Sequence, residues 1–282
     1  MSKIRRIAVI GSGITGLTVA KNLQDKGEIQ VYDKSSGVGG RMATRSNNDL
    51  KFDHGAQFFT ARTIEFKNFL NPFVDHGHSS KWTPKLLGFS ESGESYKRYW
   101  FEDHYVGSPK MTSLCKELAK ELNINLSMQV ERVESTGDEN LLHFSDERIP
   151  LPFDWVIAAL PPAQILALYP DSFENASNLR KVKMFPCFTL MLQSAKKVKP
   201  ALEAATVHGN SISWISENSS KPRRASIPTY VVHSSFEWAR KNIDTERSSV
   251  KNALEIPIST GSIERTNGTR PIEGFSAATP QQ

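Results

Sequence analysis

Residues 6–16 read Arg6-Ile-Ala-Val-Ile-Gly11-Ser12-Gly13-Ile14-Thr15-Gly16, and the fold is decided by this stretch. A short apolar run breaks into three glycines spaced G-x-G-x-x-G. Helical spacing comes next, with Leu17, Ala20 and Leu23 on one face and Lys21, Gln24 and Asp25 opposite. Gly27 is placed to stop the helix, and Ile29–Tyr32 reads as a second strand. These residues predict a β-α-β unit, and its wholly apolar strands predict a parallel sheet covered on both faces. In such a unit Gly11 permits the tight turn, Gly13 lets a diphosphate approach the backbone, and Gly16 lets helix and strand pack closely. Ser12, Ile14 and Thr15 complete the turn, whose helix N-terminus offers unpaired N–H groups and a positive dipole end to phosphate.

Residues 33–44 narrow the ligand. Asp33 closes the second strand twenty residues after Gly13, where a carboxylate accepts hydrogen bonds from ribose hydroxyls. The same charge repels a ribose phosphate, so the dinucleotide is expected to be FAD or NAD rather than NADP. Lys34-Ser-Ser-Gly37-Val-Gly39-Gly40-Arg41-Met42-Ala-Thr44 then sets a double glycine and an arginine directly behind the acid. Gly39 and Gly40 allow backbone approach, and Arg41 offers a charge-assisted contact to the pyrophosphate. A domain that binds only NAD has no need of this second clamp. FAD is therefore the expected cofactor, with Lys34 and Met42 flanking the clamp.

The segment 34–44 resembles the double-glycine motif of the flavin amine oxidases and their relatives. Phe52-Asp-His-Gly-Ala-Gln-Phe-Phe-Thr-Ala-Arg62 is similar to the characteristic segment of bacterial renalase-like flavoproteins. That resemblance implies contact between the flavin ring system and Gly55, Ala56, Gln57 and Phe58, and places the backbone of Val130 against the adenine. Val106–Met111, Ala158–Pro162, Ile215–Pro222 and His233–Ala239 also look like renalase-like blocks, so the resemblance runs from residue 4 to about residue 254. Beyond that it departs. Asn267–Gly274 faintly resembles the glycine-rich turn that leads such proteins into a final helix, but it comes too soon after Trp238, as in a truncated or frameshifted product.

Elsewhere a helix is expected over Pro109–Leu122, a strand over Asn123–Val133, an extended piece at Leu141–Phe144, a buried strand at Trp155–Leu160 and a helix from Ala163. Residues 66–105 show no helical period, and Phe188–Leu192 and Tyr230–His233 look like strands. The expected fold class is α/β: a Rossmann-like FAD-binding domain with a parallel sheet, plus an inserted α+β substrate domain with an antiparallel sheet. The first takes 1–65 and 106–166, with 256–282 as a remnant of its last part. The second takes 66–105 and 167–255. Residues from 256 onward are rich in Ser, Thr, Gly and Pro and are expected to be poorly ordered unless tied down.

Composition sets limits on function. The chain has 282 residues with a formal net charge of +5, but its basic residues are dispersed, so no nucleic-acid partner is expected. The longest apolar stretch, Trp155–Leu168, is broken by Pro161 and Pro162, so no membrane span is expected, and the protein is read as cytoplasmic. Cys115 and Cys187 form no C-x-x-C pair and the histidines lack ligand spacing, so no metal site is expected.

The resemblance implies a flavin oxidase that takes a hydride from a small-molecule substrate and passes the electrons to dioxygen, giving hydrogen peroxide. Dihydro-isomers of NAD(P) are the leading substrate. The alternatives are an amine-oxidising or desaturating flavoenzyme of the same superfamily, or a non-catalytic nucleotide-binding remnant. Trp82, Tyr99, Trp100, Trp214, His233 and Trp238 could line a pocket for a flat substrate, though each also reads as ordinary core. Lys221 could pair with a substrate phosphate, with a solvated loop lysine as the plainer reading. No catalytic residue is assigned.

Overall fold

A computed structural model describes residues 4–47, 49–92, 94–170, 173–194, 203–209, 211–260 and 270–271. The chain divides into two compact units, 1–43 with 114–184, and 44–113 with 185–281. The boundaries expected from sequence lie at 65/66, 105/106 and 166/167. At the first of these the cause is local, since Phe52 packs on Met191 and Val231 of the second unit.

The first unit is built on four parallel strands in the order 123–125, 28–32, 6–10, 155–158. Alternation along Arg6–Ile10 sorts its side chains onto two faces. Ile7 and Val9 pack with Ile29, Val31 and the helix residue Ala20, and Leu23 joins them from the side. Ala8 and Ile10 pack on the other face with Tyr32, Val130, Val133, Leu142 and Phe153. All of these partners but Tyr32 belong to a three-stranded antiparallel sheet of Val130–Ser135, Asn140–Phe144 and Leu151–Phe153, which covers that face. The double cover explains the unbroken apolar run Ile7–Ile10.

The second unit holds a seven-stranded sheet, antiparallel except where Ala204–Val207 runs parallel to Leu86–Phe89. Its central strands are Thr189–Gln193, Thr229–Ser234 and Ile212–Glu217. Phe188, Leu190, Val232 and Ile215 point into a core with Ala239, Val250 and Leu254 of two flanking helices. On the opposite face, Met191 and Val231 pack against Phe52. Thr189 donates to the His54 carbonyl (3.0 Å). The sheet therefore seats the segment 50–58 on its second face.

Several expectations need correction. Residues 66–75 lie in a helix, Ile64–Asp75, capped by Thr63, which accepts from the Phe66 amide. Phe66 stacks on Phe69, which is tilted to Phe73, a period that Pro72 within the helix disguised. The helix expected over 109–122 spans only Thr112–Leu118. The Lys110 and Met111 amides are taken by Ser113 and Asp53 side chains, which delays its start. Asn123–Val133 is two strands rather than one, with Ser127 in the left-handed region between them. The strand at Trp155 ends at Ala158, and Trp155 itself is exposed, beneath the Arg5 guanidinium. A helix spans Arg247–Thr260, so residues 256–260 are helical. Of the turn read at Asn267–Gly274, Arg270–Pro271 is a short strand paired with Leu192 and Gln193, and residues 261–269 and 272–282 lie outside the described residues.

Candidate functional site

The glycine turn lies at the end of the strand Arg6–Ile10. Gly11 has φ +105°, and its amide donates to the Tyr32 carbonyl (2.8 Å). A side chain at Gly16 would place its Cβ 1.9 Å from the Gly11 carbonyl oxygen, so only glycine lets the helix sit this close to the strand. Gly13 differs. A Cβ there would meet nothing within 4 Å, so the turn leaves open space beside its backbone. The helix Ile14–Leu23 starts at Gly13 with no side-chain cap, which leaves first-turn amides free for an outside acceptor.

The double-glycine segment is brought onto this turn. Gly39 pairs with Gly13 in a parallel bridge, and its amide donates to the Ser12 carbonyl (2.9 Å). Gly39 (φ +119°) and Gly40 (φ +51°) both take left-handed backbone, and a Cβ at Gly40 would lie 3.3 Å from the Gly13 Cα. Arg41 and Lys34 are exposed and Met42 is half-buried. Asp33 accepts from the Ser12 amide and hydroxyl (2.6 Å each) and from the Ser35 amide (2.8 Å). Its carboxylate is thus held against the glycine turn. Val130, in the same unit, opens a strand and is packed in the core.

A second constellation lies wholly in the other unit, around segment 53–58. Asp53 is fully buried and accepts from Thr44 Oγ1 (2.7 Å), the Met111 amide (3.0 Å), Arg224 (2.6 Å) and Lys221 (3.3 Å). The Lys221 and Arg224 cations hold its carboxyl down, at about 2, against the upward push of burial. Burial pulls the Lys221 ammonium down to about 8, against the attraction of Asp53. Lys221, read from sequence as a solvated loop residue, is instead buried, with its Nζ 5.4 Å from the Trp82 ring centre. A lone lysine in a Ser-rich turn gives no sign of such a partner, because the partner lies 168 residues away.

Gln57 joins this cluster. Its carboxamide oxygen accepts from Ser216 (2.8 Å) and Lys221 (3.3 Å), and its nitrogen donates to the carbonyls of Gly55 (3.0 Å) and Asp53. His233 lies 3.4 Å from that nitrogen and 3.1 Å from the His54 carbonyl, and burial lowers its pKa to about 4. Phe58 packs edge-on with Trp100 and His104 and tilted to Trp214. Of the aromatic residues picked out from sequence, Trp100 and Trp214 meet at Phe58, Trp82 lies by Lys221, Trp238 packs on the core residue Phe188, and Tyr99 is exposed. Sequence reasoning missed Asp53, Arg224 and Ser216.

Among the described residues, no group of three or more His, Cys, Asp or Glu could hold a metal, and no helix is long and apolar enough to cross a membrane.

Comparison with known proteins bears on the fold. The family of NAD(P)-binding Rossmann-like domains matches residues 9–73. An L-amino-acid oxidase from Siganus canaliculatus is 31% identical over 86 residues, 26% of this chain and 16% of that protein. A 4,4'-diapophytoene desaturase (4,4'-diaponeurosporene-forming) from Staphylococcus aureus strain Newman is 41% identical over 51 residues, 18% of this chain and 10% of that one. The chain thus matches less than a fifth of the length of either relative. Over the whole chain, the fold is similar to a protein described as a protoporphyrinogen oxidase from Exiguobacterium sp. 255-15, with a TM-score of 0.77 at 11% identity, covering 100% of this chain and 89% of that one. The architecture is therefore a Rossmann-like α/β nucleotide-binding fold with a separate, mainly antiparallel sheet.

Proposed function

We propose that the protein is an FAD-dependent oxidoreductase of the flavin amine oxidase superfamily, with unit 1–43/114–184 holding the nucleotide and unit 44–113/185–281 serving the substrate. The observation that carries this reading is the bridge between Gly13 and Gly39, which sets the second glycine pair on the phosphate turn. A β-α-β cradle alone serves NAD(P) and FAD equally, so the match over residues 9–73 does not separate them. The added clamp favours FAD. In this reading the turn Gly11–Gly16, with Ser12, Ile14 and Thr15, cradles the diphosphate, Asp33 takes a ribose hydroxyl, and Gly39, Gly40 and Arg41 close on the pyrophosphate beside Lys34 and Met42. Val130 meets the adenine, and Gly55–Phe58 meet the ring.

When bound, FAD supplies two-electron redox chemistry, and the protein's part is to bind, orient and exclude water. The substrate we favour is a dihydro-isomer of NAD(P). It loses a hydride to become the aromatic nicotinamide, and dioxygen takes two electrons and two protons to become hydrogen peroxide. Such a donor needs no protein base. The test is an anaerobic flavin-reduction screen on FAD-loaded protein with dihydronicotinamide isomers, primary amines and L-amino acids. Bleaching by the first group supports the reading. Bleaching only by amines or amino acids moves the protein to the amine-oxidising class, and failure to take up FAD leaves no oxidoreductase reading.

A further inference from the structure

We propose that Lys221 is a positioning residue that acts through Gln57 to fix the ligand-facing segment 54–58. The proposal rests on the functional reading in which Gly55–Phe58 meet the flavin ring, and it deepens that reading by naming what holds the segment in place.

The starting point is a charge without need. Asp53 already has the Arg224 guanidinium at 2.6 Å, which suffices to balance one buried carboxylate. Lys221 is a second cation on the same carboxylate, more distant at 3.3 Å and fully buried. Asp53 attracts this ammonium and Arg224 repels it. Taking an ammonium out of water costs several kcal/mol, and an apolar side chain would fill the same space without that cost. Stability does not account for this lysine.

Its second contact does. The Lys221 ammonium and the Ser216 hydroxyl both point at Gln57 Oε1, at 3.3 and 2.8 Å. Two donors at that oxygen decide which way the carboxamide faces. Its nitrogen is thereby turned to the carbonyls of Asp53, just before the segment, and Gly55 within it. Without the donors, the amide can turn over and release those carbonyls. Lys221 thus reaches the segment at one remove, from the turn that succeeds the strand Ile212–Glu217. The strand supplies Ser216 and the turn supplies Lys221, so the end of one central strand orders a loop remote in sequence. A pre-set loop spares the bound ligand the entropy of ordering it.

The test uses the full chain and two readouts. In cofactor-free protein, hydrogen exchange in the peptide 53–59 is expected to run about ten-fold faster in Lys221→Met than in the parent, as a lost charged hydrogen bond implies. The variant keeps the Asp53–Arg224 pair and is expected to fold. With added FAD, Lys221→Met and Gln57→Ala should each weaken binding about ten-fold, and the double variant no further, because both remove one linkage. The visible absorption bands of the bound flavin should shift alike in both variants, a signature that a merely structural lysine would not share with Gln57. Unchanged exchange over 53–59, or additive losses, would overturn the proposal. Should Lys221→Met fail to fold, Ser216→Ala removes the other donor to the same oxygen, and unchanged exchange there has the same force. If the parent takes up no FAD, the oxidoreductase reading falls, and the exchange readout alone decides the role of Lys221.

Discussion

At the scale of single residues, the three glycines of the turn are not equivalent, and substitution separates them. Gly16→Ala sets a Cβ 1.9 Å from the Gly11 carbonyl, an overlap with rigid backbone that nothing nearby can relieve. That variant is expected to lose at least ~3 kcal/mol of stability by urea unfolding, or not to fold. Gly13→Ala adds a methyl to open space, so the cofactor-free protein should fold within about 1 kcal/mol of the parent. Its FAD affinity should nevertheless fall ten-fold or more, because the methyl stands where the diphosphate must approach the backbone, an effect worth at least ~1.4 kcal/mol. Equal FAD binding by Gly13→Ala and parent protein would remove the diphosphate from that turn. Asp53→Asn is the converse case: it leaves the buried Lys221 and Arg224 without their carboxylate. Its cost is expected at about 3–5 kcal/mol, larger than that of removing Lys221, which leaves an ion pair intact.

At the scale of elements, the strand Thr229–Ser234 carries one of the groups that make the stability of the second unit depend on pH. His233 on that strand has its pKa lowered to about 4 by burial, and His54 beside it is lowered for the same reason. Between the ordinary value of 6.5 and about 4, the unfolded chain binds a proton that the folded chain refuses. Stability therefore falls as pH drops through that window, by roughly 3 kcal/mol for His233. Asp53 adds a further loss from about 3.8 down to about 2, where its carboxylate protonates and releases the two cations. Lys221 works at the alkaline end, where its depressed value makes stability rise from about pH 8 towards 10.5. The check is the urea midpoint against pH, with His233→Gln expected to flatten the limb between 6.5 and 4. A limb as steep as the parent's would place that titration elsewhere.

At the scale of the whole molecule, a bound cofactor should stabilise the fold by mass action. FAD at a hundred times its Kd is expected to raise the unfolding free energy by about 2.7 kcal/mol. ADP, carrying the half of the cofactor read onto the glycine turn, should give part of that rise, and riboflavin, with no phosphate to offer, much less. Thermal melts with the three ligands at matched concentration provide the measurement, and a larger effect from riboflavin than from ADP would contradict the assignment of the turn.

The core of the first unit was legible in the residues alone. Its signals are local: the four apolar residues Ile7–Ile10, a glycine spacing and an amphipathic helix act within thirty residues of one another, and short-range sterics and hydrogen bonding settle them. The double glycine at 39–40 was legible for the same reason, since its left-handed backbone is a property of the residues themselves. The burial of Lys221, and the joining of Asp53, Gln57, Ser216 and Arg224 into one network, emerge only once the chain is folded. Those partners are 159 to 171 residues apart, and a buried charge is tolerable only where distant groups surround it. Folding likewise assigns segment 50–58 to the antiparallel sheet, because Phe52 finds its apolar partners in Met191 and Val231, on strands that no spacing in residues 50–58 announces.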